Sequence, residues 1–132
     1  MLHTINYQLG LLHFMHLLVT SDGHIDEREK SAIDLLQKEE KIPHWLLDDF
    51  ENAISTRSEF EIYTQGVEFL NNCTEDEKLT AFVHLYRLAE SDNTVHIREI
   101  RFLLYSLKST QVDFQDVMLI AQMVKSRQAN AA

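Results

Sequence analysis

Three features predict an all-α fold. Apolar residues recur every three or four positions along most of the chain. Glycine and proline are scarce, at three and one in 132 residues, and a helix–turn–helix pattern occurs twice. The expected architecture is a single-domain bundle of about seven helices built from two related helical-hairpin halves. It spans residues 1–127, with 128–132 as a disordered tail lacking any apolar pattern.

The doubled stretch organises the rest. Ser21-Asp22-Gly23-His24-Ile25-Asp26-Glu27-Arg28-Glu29 returns as Ser91-Asp92-Asn93-Thr94-Val95-His96-Ile97-Arg98-Glu99, and 70 residues separate each position from its counterpart. Each copy follows one apolar helical run and precedes another, so each reads as helix, short acidic turn, helix.

Taken in order, Ile5, Leu9, Leu12, His16 and Val19 share a helical face that Leu11, Met15 and Leu18 widen, so residues 4–20 read as a largely buried helix. Gly23 supplies the stop. Asp26 and Glu29 form a capping box for the next helix, which carries Ile33, Leu35 and Leu36 and runs to about Lys41. Pro43 opens a third, with Trp45, Leu46, Phe50 and Ile54 facing inward. Ser58 and Glu61 cap a fourth, with Phe60, Tyr63, Val67 and Leu70 at helical spacing, and Asn71-Asn72-Cys73 breaks it. Thr74 and Glu77 cap a fifth, bearing Leu79, Phe82, Val83, Tyr86 and Ala89. The sixth carries Ile100, Leu103, Leu104 and Leu107. Asp113 caps the seventh, with Phe114, Val117, Ala121 and Val124.

The net charge of −9 repels nucleic acid and anionic membrane surfaces, and no basic patch is segregated to offset it. It favours metal cations or a basic protein partner. A homo-oligomer stays open. The single Cys73 excludes an internal disulfide and suits a reducing, cytoplasmic setting. The start of the chain lacks a signal-peptide pattern, and no apolar run is long enough to span a bilayer.

The carboxylates of the two turns are the candidate functional residues. Asp22 ends one helix and Glu29 enters the next; Asp92 and Glu99 repeat that placement. Packed about a pseudo-two-fold axis, the four would converge, and a convergent cluster needs a neutralising charge. A hard divalent cation, Ca²⁺ or Mg²⁺, with oxygen ligands would supply it. Asp26 and Glu27 add ligands on the first side alone, because His96 and Ile97 stand at their counterparts. The spacing is not that of an EF-hand, since Glu29 follows Asp22 by seven residues. The alternative is structural. Asp26 and Glu29 cap a helix, Glu99 meets the positive end of a helix dipole, and Arg28 and Arg98 neutralise the acids without metal.

The paired pattern resembles the TerB-like family, named for tellurite-resistance proteins. The matching residues are Asp22-Gly23, Ile25 and Glu29 in the first half and Asp92, Val95 and Glu99 in the second. Asn93 stands in place of the second glycine, and Ser21 and Ser91 where alanine is common. The resemblance implies an all-helical, internally duplicated domain with an acidic metal-binding centre. It also implies a role in stress or metal-ion response, often at a membrane-associated complex.

Other chemistries are weaker in the sequence. His13 and His16 lie three apart on one helix, and His84 would complete a transition-metal set, but His16 sits in an apolar stripe. Cys73 has no histidine partner nearby. No phosphate-binding glycine loop and no nucleophile elbow occurs. The sequence therefore points to a non-enzymatic cation-binding domain. Its rival is a protein-interaction module in which the acidic turns only cap helices or meet a basic partner.

Overall fold

The computed structural model describes residues 5–19, 27–89 and 97–130. Among them are seven helices and no strand: α1 (Ile5–Val19), α2 (Glu27–Glu39), α3 (His44–Ile54), α4 (Glu59–Asn71), α5 (Glu75–Ala89), α6 (Ile97–Thr110) and α7 (Phe114–Asn130). The all-α bundle expected from the periodicity is the fold. No described helix is long and apolar enough to cross a membrane.

The duplication extends well beyond the acidic turns. Helices α1, α2 and α3 begin at residues 5, 27 and 44, and α5, α6 and α7 begin 70 residues later, at 75, 97 and 114. The stops of α2 and α6 also match. The Ile42 amide donates to the Gln37 carbonyl, and the Val112 amide to the Leu107 carbonyl, both at 3.0 Å. Lys41 and Gln111 between them take positive φ, 53° and 60°. These are two Schellman stops built without glycine. Each is then tied to the start of the preceding hairpin helix. The Gln8 side-chain amide donates to the Glu40 carbonyl at 3.2 Å, and the Lys78 ammonium to the Thr110 carbonyl at 3.3 Å. Helix α4 joins the two halves.

Helix α1 is the centre of the core. Tyr7, Leu11, Leu12, Phe14, Met15 and Leu18 are all buried, while Ile5 at its start, expected on the buried stripe, is 52% exposed. It packs against α4, α5 and α6. Helix α4 runs antiparallel to it at close range. A Cβ on Gly10 would meet the Leu70 side chain at 2.6 Å, and one on Gly66 would meet the His13 Cβ at 3.1 Å. Aromatic rings fill the space beyond: Phe14 lies 5.8 Å from both Tyr63 and Phe82 and 5.9 Å from Phe102.

The expected caps form. The Glu61 amide donates to Ser58 Oγ at 3.2 Å. Thr74 and Glu77 exchange two bonds, Glu77 N–H to Thr74 Oγ1 and Thr74 N–H to Glu77 Oε1, both at 3.1 Å. Asp113 Oδ1 accepts from the Gln115 amide at 2.9 Å.

Several inward assignments are corrected. Trp45 is 56% exposed and Leu35 is exposed, because Leu46 with Phe50, and Leu36, hold the buried positions of their helices. Phe60 is 77% exposed: α4 buries Ile62, Gly66 and Leu70, a face offset from the Phe60–Tyr63–Val67 stripe. Pro43 is the N-cap of α3 rather than its first helical residue. Helix α7 continues to Asn130, three residues into the segment 128–132 expected as a tail.

Candidate functional site

The two acidic turns connect α1 to α2 and α5 to α6. Asp22, Asp26 and Asp92 lie outside the described residues. Glu29 and Glu99 are the third residues of α2 and α6, and their side chains also lie outside the described part.

The flanking helices fix where the turns leave. Helices α1 and α5 run side by side in the same sense. Phe14 meets Phe82 midway, and Met15 shares a cleft with Leu85 and Leu88. The Gln8–Glu40 and Lys78–Thr110 bonds bring the ends of α2 and α6 back to the starts of α1 and α5. Both hairpins are therefore antiparallel. The four helix ends that border the acidic turns, at Val19, Glu27, Ala89 and Ile97, lie at one end of the bundle. Two helix N-termini lie there, and a helix N-terminus favours acidic side chains in its first turn.

A second polar group sits between the halves. His84 Nε2 lies 2.5 Å from Glu40 Oε1, and both side chains are largely buried. Tyr7 is close by: burial, and then the Glu40 carboxylate, push its phenol well above the usual tyrosine range. The set locks α1, α2 and α5 together.

The histidines do not form the transition-metal set weighed from the sequence. His13 is buried between Phe50 and Phe69, with ring centroids at 4.9 and 5.2 Å, and its Nδ1 donates to the Leu9 carbonyl at 2.6 Å. Arg57 donates to the side-chain oxygen of Gln65, which stands near the His13 ring. Burial lowers the pKa of His13 and of His16. His84 is taken up by Glu40 instead. Among the described residues no group of three or more His, Cys, Asp or Glu side chains could hold a metal ion.

Two larger clefts open on the surface. One, of about 450 Å³, lies between α1, α2 and α3, with Leu12, Met15 and Phe50 in its wall. Its polar residues His16, Lys30, Asp34 and Glu51 stand where the second half has Tyr86, Ile100, Leu104 and Ala121. The other, of about 390 Å³, lies between α4 and α6 and is lined mainly by aromatic rings.

The sequence reading passed over Glu40 and the aromatic cleft. Glu40 carries no local signal, since it is one of a run of charged residues at a helix end. The aromatic cleft had one: Phe60 and Tyr63, and Phe102 and Tyr105, are pairs one helical turn apart. No family model, no curated protein and no solved structure matches this chain.

Proposed function

We propose that this chain is a non-enzymatic, cytoplasmic TerB-like domain that binds a divalent cation, Ca²⁺ or Mg²⁺, in stress or metal-ion response. Asp22, Glu29, Asp92 and Glu99 supply the oxygen ligands, and Asp26 adds one from the first turn. The observation that supports this reading is the exact register of the halves. Equivalent helices start 70 residues apart, and all four helix ends bordering the acidic turns share one end of the bundle. Acids brought to one place repel each other unless a cation stands among them.

Calorimetric titration of Ca²⁺ and of Mg²⁺ into chelator-treated protein tests the reading, with Asp22→Asn/Asp92→Asn as control. Saturable binding that the control loses supports it. Absence of binding by the wild type at about millimolar ion, the weak end of the range for protein calcium sites, overturns it.

One observation favours a second reading, a protein-interaction module. The chain demonstrably uses Glu61, Glu77 and Asp113 in helix caps. In that reading Asp26, Glu29 and Glu99 do the same, and exposed side chains such as Trp45 meet a partner. Unchanged thermal stability with and without ion, together with lost helicity in Asp26→Ala, distinguishes it.

A further inference from the structure

Helices α4 and α6 each carry two aromatic residues one turn apart, and the pairs face one cleft. Phe60 and Tyr63 come from α4, and Phe102 and Tyr105 from α6; Leu17 and Glu59 complete the lining. The Tyr63 and Phe102 rings stand at 71° with centroids 6.2 Å apart, forming a corner. Tyr105 lies 5.6 Å from Tyr63. Tyr63 is held in place. Its hydroxyl donates to Ser109 Oγ at 2.6 Å, and Phe14 meets its ring edge-on from the core.

Packing does not account for the outer rings. Phe60 is 77% exposed and Tyr105 64%, while α4 buries a different face. Large rings left in water around a recess mark a binding surface. The faces of aromatic rings carry negative partial charge and attract cations, most effectively those that give up little hydration. A methylated ammonium meets that condition; a bare ammonium or a metal ion holds its water. The exposed Glu59 carboxylate at the rim adds attraction of the same sign, as does the net charge of −9.

We propose that this cleft binds the quaternary ammonium group of a small soluble molecule, independently of the acidic turns. The ligand carries no anionic group beside its nitrogen, because a neighbouring phosphate or carboxylate would face Glu59. That requirement disfavours a phospholipid head group.

The test is an NMR titration of the full chain with choline and, separately, with 3,3-dimethylbutan-1-ol, its uncharged carbon isostere. Choline should saturate and shift the Tyr63 and Tyr105 ring signals, with the isostere about tenfold weaker or more. Tyr105→Leu and Phe60→Leu should each weaken choline about tenfold, with the fold checked by unchanged amide spectra. Glu59→Gln should weaken it several-fold, by less at high salt. Phosphatidylcholine vesicles should leave the protein in solution on sedimentation. Equal affinity for the isostere overturns the proposal, as does choline binding that survives Tyr105→Leu. Failure to saturate at about 50 mM choline, or sedimentation with the vesicles, overturns it equally.

Discussion

His84 Nε2 and Glu40 Oε1 lie 2.5 Å apart, and that contact joins the end of the first hairpin to the middle of α5. It is a bond between the two halves at positions the duplication does not repeat: Phe14 and Thr110 stand at the counterparts of His84 and Glu40. A charge-assisted hydrogen bond in a largely buried place contributes about 1.5–3 kcal/mol. Glu40→Gln and His84→Phe should each destabilise the fold, and the double variant should lose less than the sum of the two. Urea unfolding of the four proteins gives the coupling energy. Strict additivity would mean that the contact contributes nothing.

The buried imidazole of His13 makes the fold sensitive to acid. Burial holds its pKa below the ordinary 6.5, so the unfolded chain takes up a proton at a pH where the folded chain does not. Its contribution is therefore fully present above about pH 6.5 and is lost as the pH falls below that value. His16 acts in the same direction. Stability measured by urea unfolding should decline from pH 7 toward pH 5. His13→Phe should flatten part of that decline.

The α1–α4 contact ranks the two glycines. A methyl group on Gly10 would meet Leu70 Cδ2 and Cγ at 2.6 and 2.7 Å, and Leu70 is fully buried. Gly10→Ala should therefore destabilise by about 1–3 kcal/mol, although alanine is the better helix former. At Gly66 the nearest atoms are 3.1 and 3.3 Å away. Gly66→Ala should cost less, since the gain in helix propensity of about 1 kcal/mol offsets a milder clash. Denaturation midpoints of the two variants give the order.

Lys41 and Gln111 hold the left-handed stops at φ 53° and 60°. A side chain in that conformation costs about 1–2 kcal/mol, and glycine relieves it while adding freedom to the unfolded chain. Lys41→Gly and Gln111→Gly should each stabilise by about 0.5–1 kcal/mol, and by similar amounts, because the two sites share one hydrogen-bond pattern. Unequal effects would mean that the halves are not equivalent there.

These stops also show where the sequence was legible. Helix starts were readable, because Ser58, Thr74 and Asp113 are side chains whose local bonds set the cap. The stops after Glu39 and Thr110 carry neither glycine nor asparagine, so they left no mark in the letters although the duplication placed them together. Burial was legible on α1 from Leu11 to Leu18, where most residues are apolar, but not at Ile5, which is 52% exposed at the helix start. It was misread at Trp45 and Phe60, where an apolar residue lies beside the buried face rather than on it. Of the candidate site, the sequence showed the doubled acidic turns. It could not show that α1 and α5 run in the same sense, because that depends on contacts between residues some 70 positions apart, such as Phe14 and Phe82.

The central claim is a single ion centre shared by both halves. Its most direct test is a Ca²⁺ titration of isotope-labelled protein followed through the backbone amides of residues 20–29 and 90–99. The account predicts that both segments shift together along one binding curve, and that Asp92→Asn weakens the response of both. Two separate curves, movement of one segment alone, or no movement in either would contradict it.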